Sequence, residues 1–187
     1  LTGRWEHLNE KTIPLLKKIA CRFLLIGVEV GDEQLRREVL SRKQTDRLML
    51  ERASILRQHK ILYGLYTMVG VPQETLSKAL KTVKLSARLT RNPLIGHHSI
   101  FYPFEGTPLY DECEQKNILS ERWVGSYFTD TRLDMDYFPR KQILWAHKNF
   151  RRYCILYWLV FRLPVFLSTM LERKLDARWY GKAKTLT

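Results

Sequence analysis

FLLIGVEVG, residues 23–31, and LYGLYTMVGVPQET, residues 62–75, decide how this chain is read. Each is an apolar run of strand length that meets a glycine and then a helix-starting residue, Asp32 in the first and Thr75 in the second. Asp and Thr favour helix N-termini because their side-chain oxygens accept hydrogen bonds from the first free backbone N–H groups. Strand, glycine-marked turn and amphipathic helix in repeated order describe a parallel α/β sheet or barrel. Ligands in such folds gather at the carboxyl ends of the strands, and function is sought there.

Outward from these runs the pattern is regular. Asn9 or Thr12 starts a first helix through about Ala20, and Phe23–Val30 is the first strand. Asp32 caps a short helix on which Leu35 and Val39 share a face. Thr45 caps another, with Met49, Ala53 and Leu56 at helical spacing. The second strand, about Ile61–Val69, is continuous enough to be buried on both faces. A helix from near Thr75 to Leu89 turns Leu76, Leu80, Val83 and Ala87 inward. Leu94–Tyr102 is a third strand, after which Thr107 caps a helix opened by Pro108 and closed near Asn117. Three parallel strands with right-handed crossovers are expected to form a curved partial sheet. The apolar edge of residues 23–30 wants a neighbour. With Leu1 in place of a starting methionine, that neighbour is expected upstream.

A length of 187 residues is enough for one substantial core. Cys21, Cys113 and Cys154 are odd in number and far apart, which excludes a disulfide framework and a clustered metal motif. A reducing, cytoplasmic setting is expected. The net charge of +13 is uneven: residues 139–187 hold 11 Lys/Arg against 2 acids, whereas residues 1–138 hold 21 against 17. The chain therefore divides into a strand–helix region, 1–119, and a basic, aromatic-rich helical extension, 120–187. In the extension, Trp123 to Pro139 is loop-like and Arg140 to Arg178 is helix interrupted at Pro164. Tyr153–Leu171 is largely apolar and near the length of a membrane span, but Arg162 and Pro164 near its middle argue against spanning. A basic helix lying on an anionic membrane surface is one reading, and a helix packed on the barrel or on an absent domain is the favoured one. Nucleic acid ranks behind them, since no base-reading motif accompanies the charge.

Three segments carry a family resemblance: IGVEVGDEQLRREVLSRKQT at 26–45, YTMVGVPQET at 66–75 and SIFYPFEGTPLYDECEQKNIL at 99–119. Together they resemble the fourth, fifth and sixth strands of radical S-adenosylmethionine (radical SAM) enzymes, closest to the subgroup with an N-terminal cobalamin-binding domain. The resemblance implies the C-terminal half of a partial (β/α)6, TIM-like barrel with parallel strands. It implies an intact enzyme that cleaves S-adenosylmethionine with an electron from a [4Fe-4S] cluster, and a 5′-deoxyadenosyl radical that abstracts hydrogen from an unknown substrate. The cluster's Cys-x-x-x-Cys-x-x-Cys loop has no counterpart here. The missing N-terminal half would supply it, along with any cobalamin site, so this portion is expected to be inactive alone. Val30 and Gln73 depart from the serine and glycine usual in the family.

The resemblance also implies site residues. Glu29 would meet the ribose or amino acid part of the cofactor; otherwise it caps the following helix. Arg42 would hold a carboxylate through paired hydrogen bonds, or else stand as a solvated charge. Tyr66 would face the lumen. Met68 and Gly70 would let adenine approach the backbone, and Phe101, Tyr102 and Pro103 would stack on it or simply fill core. Of His97 and His98, adjacent on a strand, at most one can enter the lumen. The rival reading is a non-catalytic interaction module or a basic protein of the membrane surface.

Overall fold

The computed structural model describes residues 1–122 and 124–185. Its centre is an all-parallel sheet of β1 (Thr2–Gly3), β2 (Leu24–Glu29), β3 (Tyr63–Val69) and β4 (Gly96–Ile100), in that spatial order. The helices are α1 (Thr12–Lys18), α2 (Glu33–Glu38), α3 (Asp46–Gln58), α4 (Leu76–Leu89), α5 (Pro108–Gln115), α6 (Arg140–Val160) and α7 (Val165–Lys184). An α/β fold with alternating parallel strands and helices is thus present.

Caps stand where the residue types place them. Asp32 accepts from Leu35 N–H, Thr45 from Leu48, Thr75 from Lys78 and Thr107 from Tyr110. One expectation is corrected. Among the described residues four strands form instead of three, and β2's neighbour is Thr2–Gly3 of this chain, paired with Leu25 and Ile26. Two residues are too short for any periodicity to announce them.

The two faces of the sheet differ. Leu24, Ile26 and Val28 of β2 and Leu65, Thr67 and Val69 of β3 are buried against helices. Leu25, Gly27, Glu29, Tyr66 and Met68 alternate with them and stay partly exposed, and His97 beside Tyr66 is exposed. All-parallel sheets usually read as buried on both faces. Here, among the described residues, one face remains open.

The basic extension belongs to the core. Phe138, Ile143, Tyr153, Tyr157 and Trp179 join Val69, Leu80, Val83 and Ile100 in one hydrophobic cluster. Burying each large side chain is worth roughly 1.5–3 kcal/mol, enough to seat α6 firmly on α4. Trp179 donates to Leu76 O at 3.3 Å, and Tyr157 donates to Asp176 at 2.6 Å. Of the expected loop from Trp123 to Pro139, Trp123 lies outside the described residues; the rest is irregular, pinned by a Leu119–Leu133 bridge.

Candidate functional site

The open face ends in two adjoining cavities that share Tyr66. The first, about 430 Å³, is lined by Thr2, Gly3, Arg4, His7, Leu25, Gly27, Glu29, Arg42, Gln44 and Tyr66. The second, about 310 Å³, is lined by Tyr66, Met68, Ser99, Ile100, Phe101, Tyr102, Phe104 and Tyr127. One is ionic and the other aromatic.

The ionic cavity is built by an irregularity in β2. Its register with β3 slips between Gly27 and Glu29, a bulge that bends the strand. Glu29 takes φ 66°, a left-handed conformation uncommon for a glutamate and costly by about 1–2 kcal/mol. Its carboxylate folds back over Gly27, where a Cβ would sit 2.6 Å from Oε1. A side chain at position 27 would push the carboxylate aside, so glycine leaves it free to lie over the strand. Gln44 donates to the carbonyls of Gly27 at 3.2 Å and Val28 at 3.4 Å, acceptors that the bulge takes from the ladder. Arg36, fully buried, donates to Val30 O at 2.6 Å and Gln44 O at 3.3 Å and pairs with Asp46.

Glu29 itself is left with little. Arg42 approaches Oε1 at 3.4 Å. Burial raises the Glu29 pKa above the usual carboxylate value, and the nearby charges of Arg42 and Arg4 only partly oppose this. A half-buried carboxylate facing two guanidiniums across a cavity can accept hydrogen bonds from a diol, while the guanidiniums hold an anionic group.

In the aromatic cavity, Tyr66 and Met68 stand on the same face as the β4 residues His97 and Ser99 that pair with them. Tyr102 and Phe104 lie 4.9 Å apart between ring centroids, and the Arg132 guanidinium stands 5.8 Å from the Tyr102 ring. Tyr127 arrives from the irregular segment, its carbonyl accepting from Ile100 N–H at 2.7 Å. Such walls suit a flat ring.

Six of the eight expected site residues thus line the paired cavities: Glu29, Arg42, Tyr66, Met68, Phe101 and Tyr102. Gly70 and Pro103 line neither. Gly70, at φ 84°, sits against α6: a Cβ would meet Ile143 Cγ2 at 3.0 Å. Its N–H is taken by Glu74, and Pro103 is buried. His98 points behind the sheet, stacked 3.6 Å from Phe150, and burial holds its pKa well below the ordinary histidine value. His97 faces the open side near Tyr66.

Arg4, His7, Gln44, Ser99, Phe104 and Tyr127 line the cavities without having been singled out as site residues. Arg4 and His7 sit in a stretch without periodicity. Tyr127 comes from a loop whose path only the tertiary fold determines. Among the described residues, no three His, Cys, Asp or Glu side chains are grouped to hold a metal ion. No protein-family model and no curated protein matches the chain.

Proposed function

We propose that this chain is the C-terminal portion of a radical SAM catalytic barrel, and that the paired cavities bind S-adenosylmethionine. The observation that carries the reading is the adjacency of an ionic and an aromatic cavity along one open sheet face, joined at Tyr66. A nucleoside bearing an amino acid tail has the same two ends. Glu29 would accept from the ribose hydroxyls, Arg42 and Arg4 would hold the carboxylate, and Tyr66, Phe101 and Tyr102 would enclose adenine. When bound, this cofactor supplies a sulfonium whose reductive cleavage starts radical chemistry. The protein's part is to orient the nucleoside and exclude water from it. The bare face of a parallel sheet also suits a half-barrel whose lumen is closed by other sequence.

The cysteines do not fit an iron–sulfur cluster. Among the described residues Cys21, Cys113 and Cys154 belong to no group that could hold a metal ion, and Cys113 and Cys154 are packed into the hydrophobic core. Cluster ligands, and any cobalamin site, would come from sequence outside these residues, and no step is assigned to either group.

Calorimetric titration of the chain with S-adenosylhomocysteine, a stable nucleoside probe, tests the assignment. Glu29→Gln and Tyr66→Ala are each expected to weaken binding about tenfold or more, the loss of roughly one charge-assisted contact or one stacking wall. Equal affinity in both variants would remove the site. A Cys-x-x-x-Cys-x-x-Cys run in the reading frame upstream of Leu1 is the expected genetic companion.

A further inference from the structure

We propose that the turn between α6 and α7 docks on an anionic lipid bilayer, with Val165 and Phe166 entering the interface and the basic face of α7 meeting the headgroups. Val165 is 82% exposed and Phe166 79%, the two most exposed large apolar side chains of the described core elements. Leu159, Leu163, Leu167 and Met170 beside them are exposed as well. Surface apolar residues are ordinarily scattered; a contiguous cluster marks a contact surface. It continues into an almost wholly apolar groove between the two helices, walled by Leu156, Leu163 and Leu175.

Charge chooses among occupants. The only acids of α7, Glu172 and Asp176, turn inward to Lys84 at 2.9 and 2.8 Å. Arg173, Lys174 and Arg178 are left outward, and among the described residues none of them forms an ion pair. A tip that is apolar, flanked by charge of one sign, matches the layered chemistry of an anionic membrane: hydrocarbon within, phosphate above. No helix among the described residues is long and apolar enough to cross a membrane, so the contact is with one leaflet.

The tip is also placed for it. The start of α6 touches Gly70 at the carboxyl end of β3, whereas Phe161 at its far end lies under Arg88, in the last turn of α4. A helix of 21 residues spans about 32 Å, so the tip stands at the opposite end of the sheet from Glu29 and Tyr102. Docking there leaves both cavities open, and the inference does not depend on what they bind.

Co-sedimentation of the whole chain with vesicles of phosphatidylcholine, alone or mixed with phosphatidylglycerol, tests this. Binding is expected to the mixed vesicles and to fall about tenfold or more on neutral ones. Val165→Asp/Phe166→Asp should reduce it about tenfold or more, and Arg173→Gln/Lys174→Gln about threefold or more. Both pairs are solvent-facing, so thermal unfolding should be unchanged; Val165→Ser/Phe166→Ser replaces the first pair if it is not. Failure to bind mixed vesicles, or binding indifferent to the tip variants, overturns the proposal. Self-association without lipid that the tip variant abolishes would overturn it in favour of a second copy as occupant.

Discussion

Glu29 at the end of β2 and Glu74 just past the end of β3 are both carboxyls taken out of water, and burial raises the pKa of each. Each region also contains a left-handed residue that is not glycine, Glu29 itself at φ 66° and Gln73 at φ 65°. Their hydrogen bonds differ. Glu74 is fully buried, and its Oε2 accepts from the backbone N–H groups of Gly70 at 2.5 Å and Val71 at 3.4 Å. Its Oε1 is buried without a hydrogen-bond partner, and the residue lines neither of the paired cavities, so Glu74 serves the turn and no ligand. Around Glu29 the backbone is held by others: Arg36 and Gln44 take the carbonyls, and Glu29 retains only a long contact to Arg42. A strained, partly buried carboxylate with spare accepting capacity is what a ligand site requires. The same residue type therefore closes one strand end and leaves the other open.

The contrast can be broken most forcefully at Arg36. Arg36→Ala strands the carbonyls of Val30 and Gln44 and should cost about 3 kcal/mol or more in urea unfolding. Arg42→Ala, partly exposed and on the cavity side, should cost under about 1 kcal/mol. Equal losses would make Arg42 a structural residue and erase the distinction.

Acidity sharpens it next. The Glu74 pKa is pushed up to about 8 from an unfolded value near 4.5. A raised pKa means that the folded state holds the proton more tightly. Its stabilising contribution is complete below pH 4.5 and is lost as pH climbs toward 8. Stability should fall by about 3 kcal/mol between pH 5 and 8, and Glu74→Gln should flatten that slope. A wild-type curve with no slope would show that Glu74 is ionised in the fold. Glu29→Gln, expected to weaken nucleoside binding, should by contrast hold or gain stability at neutral pH, because it removes an ionised group from a poorly hydrated position. A large loss would assign Glu29 to the fold. The smallest effect belongs to Gln73→Gly, which relieves a left-handed backbone and should raise stability by about 0.5 kcal/mol in the same assay.

Much of this was readable from residue types alone, for local reasons. Asp32, Thr45, Thr75 and Thr107 cap the helices they precede, since a cap needs only a short side chain and the next three residues. Opposite orientation of His97 and His98 followed from the two-residue period of a strand. Gly31 was legible as punctuation but not in its purpose. A Cβ there would stand 2.3 Å from the Thr82 backbone, so glycine is what lets β2 approach α4. The sequence points Gly70 at a ligand, whereas it faces Ile143, because nothing in residues 66–75 announces a helix arriving from residue 140. Arg36 looks no different from Arg37 in the string, yet one is fully buried and the other exposed.

Periodicity, capping residues and glycine placement suffice to specify a parallel α/β chain and to point at its strand ends, because those signals act over one or two turns of backbone. Which strand end stays open, which arginine is buried, and how a basic tail becomes part of the core while exposing an apolar tip depend on contacts between residues tens to a hundred positions apart. Those contacts are set by packing, and packing exists only once the chain has closed on itself.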